Sequence, residues 1–336
     1  MRRAGIWLSP LFVTMLSGQT IVIVQEGLNR VLLVDAAQAN KGTPIAVGEK
    51  PHEIEMSADG KLAYVSNFGL LEANRKEGVA GTTISVIDVA KKKELRRIKM
   101  PENSKAPHGL KLRPGGSHEL FTNSEEGIEE IVVFDANSGV VKRRNPLPPG
   151  VHNFVFSRDG AALFAFTMKG EVLRMDAESG RIVSQVPIGS PRGIAWTADW
   201  KKLLVSGKGE VLIVDPESLK VDRRIDGLGV GQIFYPAATP DGRWLLAPAV
   251  IDGKLLVIDA STGKVVRSIT TGSPLLVAFD RKGKEAWVSN VKVPAGMFGP
   301  GTAERPGGVF RLDLKTFETA LIPATVDANG IAISQH

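Results

Sequence analysis

An aspartate closes a short apolar run seven times along this chain, at Asp35, Asp88, Asp135, Asp176, Asp215, Asp259 and Asp313, with spacings of 53, 47, 41, 39, 44 and 54 residues. Between these marks falls a second series, Asp59-Gly60, Gly115-Gly116, Asp159-Gly160, Asp199-Trp200, Asp241-Gly242 and Lys282-Gly283. Both series punctuate alternating apolar runs of strand length, so each repeat reads as a meander of short strands joined by turns. A self-similar period of roughly 40–45 residues built from four short strands is the mark of a β-propeller blade. Helical periodicity sustained over ten residues is absent beyond the N-terminal leader, which leaves no room for βαβ units.

The two ends set the blade count. Residues 20–24, 31–35 and 43–47 supply three strands with no inner strand before them. The terminal phrase Asn329-Gly330-Ile331-Ala332-Ile333-Ser334 copies an inner strand and has no partners after it. Joining the ends completes one blade and predicts an all-β, seven-bladed propeller of four-stranded antiparallel blades. That closure also hides the edges an open array would expose.

The phrases Tyr64-Val65-Ser66-Asn67, Phe121-Thr122-Asn123 and Trp287-Val288-Ser289-Asn290 follow inner-strand phrases such as Pro107-His108-Gly109-Leu110. They resemble the YVTN β-propeller repeat family, within the superfamily of lactonase and nitrous-oxide-reductase-like propellers. The resemblance covers nearly the whole chain after the leader, although blades four to six lose the terminal Asn. It implies the propeller fold, and it leaves open a lactonase, part of a redox enzyme, or a binding protein.

Residues 1–18 stand outside the repeat. Arg2 and Arg3 precede an apolar run from Ile6 to Leu16 that ends in Ser17 and Gly18. This resembles a secretory signal peptide, which implies a periplasmic or secreted protein whose residues 19–336 form one propeller domain without a membrane span. The chain has no Cys, which excludes disulfides, thiolate catalysis and thioether-linked haem. The net charge of +6 raises the question of nucleic acid. But the basic clusters, Lys91-Lys92-Lys93 with Arg96-Arg97, Lys142-Arg143-Arg144, and Lys220 with Arg223-Arg224, fall on or just before outer strands, where Lys and Arg protect an exposed edge. No aromatic stacking platform accompanies them, which argues against nucleic acid as a partner.

Two insertions break the period, at 68–81 in blade two and 291–308 in blade seven. Loops of this length on a compact scaffold commonly carry function. They are expected on the face where the inner strands begin. Seven residues before the Asp59-type marks stand His52, His108, His152, Arg192 and Phe234, with Leu275 and Asn329 at the same place in blades seven and one. Gln25, Asn67, Asn123 and Asn290 end the adjoining strands, and Glu125 and Glu126 follow in what reads as the loop of blade three. A concave mouth with polar groups on one side and apolar groups opposite is a candidate site for a small molecule or a protein partner.

Three chemistries suit this ring. His52, His108 and His152 could hold copper or zinc through imidazole nitrogens, although their spacings of 56 and 44 residues form no metal motif. They could serve as acid/base groups, with Arg192 holding an anion and Glu125 assisting, as a lactonase would need. Equally, each His could bond the backbone of the neighbouring blade and knit the ring together. The Asp88-type residues read as turn formers. HExxH, GxSxG, P-loop and haem-attachment motifs are absent, and the glycine-rich stretch 227–231 opens no helix. The expectation is therefore an exported binding or scaffold protein, with a lactonase-like hydrolase and a copper- or zinc-binding redox accessory as the alternatives.

Overall fold

The computed structural model describes residues 18–69, 78–323 and 325–334; the leader segment 1–17 and residues 70–77 of the first insertion lie outside them. Seven four-stranded antiparallel sheets form the ring. Blade one is completed by the C-terminal strand Ala328–Ile333, which pairs with Thr20–Gln25 in the register Ile21↔Ile333, Val22↔Ala332, Ile23↔Ile331. Among the described residues no helix is long and apolar enough to cross a membrane.

Sheet alternation explains why the middle strands are apolar throughout and not every second residue. Val22 and Val24 face blade two, where they pack with Ile54, Ala63, Val65 and Ile87. The intervening Ile21 and Ile23 face blade seven and meet Trp287, Val309 and Ile322. A blade stands between two neighbours, so both of its faces are buried, as in a covered parallel sheet. The seven apolar clusters are the seven seams between blades.

Both turn series do what their residue types dictate. Asp88, Asp135, Asp176, Asp215, Asp259 and Asp313 each accept backbone N–H bonds from the turn between the third and fourth strands. Ordered donors favour the anion; bonds from Ser261 and Thr262 hold the Asp259 carboxyl down to about 2. In the other series Ser57 and Lys61 bond Asp59, and the next residue takes a left-handed φ, at Gly60, Gly160, Gly242 and Gly283. Blade five puts Trp200 there at φ 60°. A side chain in that conformation costs about 1 kcal/mol.

The outer strands carry the basic residues as expected, and some of these side chains do more than guard an edge. Arg96 donates to the carbonyls of Ala136 and Asn137 in blade three. Arg223 likewise donates to Ala260 and Ser261 in blade six, at 3.0 and 2.9 Å. These guanidinium groups tie adjacent blades together. Replacing Arg223 with Ala is expected to cost about 1–2 kcal/mol, read as a melting temperature lower by about 2–4 °C.

Candidate functional site

The inner strands of blades two, three and four, Pro51–Met56, Ser104–Leu112 and Val151–Phe156, bring His52, His108 and His152 together. The rings form a column: His52 to His108 is 4.6 Å between centroids, and His108 to His152 is 4.3 Å and stacked. Phe68, the first residue of the blade-two insertion, lies 5.4 Å from His52 and 5.7 Å from His108. Phe166 closes the far end against His152.

Each of these three strands is irregular where it meets its neighbour. Pairing shifts register between Pro51 and Ile54, between His108 and Lys111, and between Val151 and Asn153. Such a bulge overrides the rule that consecutive side chains point to opposite faces. Hence His52 and the adjacent Glu53 both reach His108, and their ligand atoms all lie within 4.8 Å of one another. In blade three the bulge needs Gly109, whose φ is 52° and whose missing Cβ would sit 2.3 Å from Asn123 Oδ1.

Hydrogen bonds settle which nitrogens are open. His108 Nδ1 lies 2.8 Å from the His152 carbonyl oxygen, which can only accept, so Nδ1 carries the proton. Burial pushes the His108 imidazole down to about 4, with His152 and His52 adding to the fall and Glu125 and Glu53 opposing it. The ring is therefore neutral, and its Nε2 presents a lone pair. That atom is buried without a hydrogen-bond partner among the described residues, as is His52 Nδ1. His152 donates from Nδ1 to Glu125 Oε1 at 2.8 Å, which directs its own Nε2 away from the carboxylate.

Two buried carboxylates flank the column. Glu53 Oε1 accepts from Asn153 Nδ2 at 2.8 Å and lies 3.8 Å from His108 Nε2. Its other oxygen is 3.7 Å from Lys111 Nζ. Burial alone would raise the Glu53 carboxyl; Lys111 and the three imidazoles outweigh it, and the group sits below its usual range. Glu125 Oε1 is also 3.7 Å from His108 Nδ1 and completes a second group with His108 and His152. It lies in the long strand Glu119–Gly127, as does Glu126, and not in a loop as the sequence suggested.

The other members of the anticipated ring lie elsewhere. Arg192 donates to its neighbour Pro191 at 2.9 Å, and the Phe234 carbonyl accepts from Ser206. Asn329 bonds Glu26 in its own blade. Asn67 bonds Thr83 and Ser85, Asn123 reaches the carbonyls of Val151 and His152, and Asn290 accepts from the Ser273 N–H; all three are fully buried. Asn67 and Asn123 thus fasten the blades that carry the column, and Asn290 fastens blade seven. Glu53, Lys111 and Asn153 went unnoticed in sequence because they follow the aligned position by one to three residues. The Glu that directly follows the Pro51-His52 phrase, inside a strand, was the available signal.

A neutral imidazole with one N–H anchored to a backbone carbonyl or carboxylate, and the other nitrogen open, is the arrangement metal-binding His residues adopt. His108 has this arrangement, and with His52 and Glu53 it offers the mixed nitrogen and oxygen donors that suit zinc or copper.

A scan against protein-family models gives no match, and a search of curated proteins gives none. Among solved structures the chain is similar to Kuenenia stuttgartiensis hydrazine synthase, at 21% identity and a TM-score of 0.67, over 85% of this chain and 96% of that one. It is also similar to dihydro-heme d1 dehydrogenase NirN in complex with DHE, at 14% identity and a TM-score of 0.68, over 98% and 78% of the two chains. At these identities the likeness is one of fold.

Proposed function

We propose that this chain is an exported, YVTN-type propeller that acts as a binding or accessory protein, and that the His column at one end of its channel holds a copper or zinc ion. The observation that carries the reading is the pair of buried, unpartnered nitrogens, His52 Nδ1 and His108 Nε2, beside Glu53. Leaving such atoms without a partner costs about 1–3 kcal/mol each, and a ligated cation removes that cost. His52 Nδ1 and His108 Nε2 would ligate, with Glu53 supplying charge, while the His152 carbonyl holds the His108 ring in orientation and Glu125 holds His152 beside it. The column lies under the start of the blade-two insertion, where a small molecule or a protein partner would meet the ion. Nucleic acid is not an expected partner.

The test is elemental analysis of protein loaded with zinc or copper and then dialysed free of excess ion. About one ion per chain is expected in the wild type, and a loss of most of it in His108→Ala. Far-UV circular dichroism of the variant checks that the blades persist. Wild-type protein with no bound ion, or a folded His108→Ala protein that keeps it, overturns the reading. The 2.8 Å bond between His152 and Glu125 favours a second reading, a lactone hydrolase in which this pair activates water. Lactone turnover by metal-free protein, abolished in Glu125→Gln, would select it.

A further inference from the structure

A cavity of about 650 Å³ runs along the channel axis to the turns at Thr197, Trp200 and Pro240, opposite the side where the inner strands begin. All seven blades contribute to its wall, so it belongs to the channel and not to one seam. Most of the wall is apolar: Ile194, Pro236, Leu276, Val277 and Ile331. Such a volume suits a small organic ligand.

Blade five supplies an aromatic platform at the rim. Trp196 and Trp200 stack with centroids 5.6 Å apart and planes 28° from parallel. The Trp196 indole is locked: its N–H donates to the Phe156 carbonyl at 2.6 Å, and the ring meets Phe164 edge to face. Trp200 is 42% exposed and holds the left-handed turn position that other blades give to Gly. The stack on Trp196 leaves much of this strained tryptophan open at the cavity mouth. Strain of this kind collects where a ligand is held.

Deeper in, the cavity is acidic. Glu53 and Glu55 face it with Lys111 as the one cation. The Lys111 ammonium is shared between Glu53, at 3.7 Å, and its neighbour's carbonyl, Leu110, at 3.0 Å. Glu55 accepts only the backbone N–H of Leu112, at 3.2 Å, among its described hydrogen bonds. Burial raises the Glu55 carboxyl above its usual range, and Lys111, shared with Glu53, only partly offsets it, so a cation bound at Glu55 would supply the charge that the site lacks. Asn153 and the buried Tyr235 hydroxyl add neutral polar groups.

We propose that this cavity is a binding site for a planar organic cation, with its flat body against Trp196 and Trp200 and its positive end at Glu55. Aromatic faces and carboxylates both attract a cation, and the apolar wall between them takes the body. The site shares Glu53 with the metal reading, but its platform and Glu55 take no part in the His column.

The probe is benzamidinium, compared with benzoate of the same shape, titrated against chelator-treated protein. Binding is read by tryptophan fluorescence and calorimetry. Saturable quenching by benzamidinium is expected, with benzoate weaker by about tenfold or more. Trp200→Gly restores the residue this turn prefers, so it folds; Trp196 still reports, and affinity is expected to fall by about tenfold. Glu55→Gln keeps the Leu112 bond and is expected to erase most of the preference between the two ions. No saturable quenching, equal affinity for both ions, or unchanged binding in Trp200→Gly overturns the assignment.

Discussion

Deleting residues 328–336 is expected to abolish cooperative unfolding of the propeller. The strand Ala328–Ile333 is the inner member of blade one, although the chain reaches it some 300 residues after its partners are made. It carries Ala328, Ile331 and Ile333 into the seam that also buries Trp287. Ser334 accepts the Thr20 N–H at 2.9 Å, and the Asn329 carbonyl accepts from Ser289 in blade seven at 3.0 Å. Burying two Ile side chains is worth about 2 kcal/mol each, and the lost ladder bonds add about 1 kcal/mol apiece. The sum, on the order of 8 kcal/mol, is comparable to the whole net stability of a domain. Deletion also bares an apolar strand edge, so the truncated chain is expected to self-associate. Melting followed by circular dichroism with light scattering measures both effects. A truncated chain that stays monomeric and melts within a few degrees of the full one would contradict this account of closure.

The second large effect is at Glu119. This carboxylate is buried at the foot of blade three, its side chain only 4% exposed, and it meets Arg113 at 2.9 Å, Arg143 at 2.8 Å and Lys142 at 2.7 Å. Burial works to raise its pKa, but bonds from Arg143, Lys142 and Arg113 outweigh it and hold the carboxyl down to about 2. Glu119→Gln leaves three cations facing a neutral amide. The expected cost is about 2 kcal/mol, below that of a fully buried pair because the three cations are partly solvated. The sign of the pH dependence follows from the depressed pKa. Stability from this group is fully present above the ordinary value of 4.5 and is lost as pH falls through about 2. Urea midpoints at pH 6 and pH 3 test this. The gap between wild type and variant should be widest at pH 6 and should narrow at pH 3. A gap that is constant with pH would mean the cluster contributes by packing and not by charge.

Much of the architecture was legible because a propeller repeats its own instructions. Each blade needs an Asp to cap its outer hairpin and a residue tolerant of positive φ at its inner turn, so both series stand out in the text. The seam logic was legible too: strands such as Thr20–Gln25 are apolar on both faces because both faces meet a neighbour. The His column was only half legible. Counting back from the turns identified His52, His108 and His152, but it could not place each ring within 5 Å of the next, because distance across blades depends on strand tilt and stagger. Nor could it choose between knitting the ring and binding a ligand. His108 does the first with Nδ1, on the His152 carbonyl, and leaves Nε2 open for the second.

Arg192 and Phe234 occupy equivalent positions in the repeat but stay out of the column, and Glu53 enters it from one residue further on. Three bulges account for the additions: alternation along a strand is a local rule, and a bulge is set by how two strands pair. The amino-acid sequence by itself determined the strands, their turns, the number of blades and the pairing of the two ends, because each rests on contacts between residues close in the repeat or on a pattern that recurs. Only the tertiary structure decided which imidazole nitrogens are open, which carboxylates join them, and that the channel ends in a tryptophan-rimmed acidic cavity. Those features arise where seven blades converge, and convergence brings together residues that no local pattern relates.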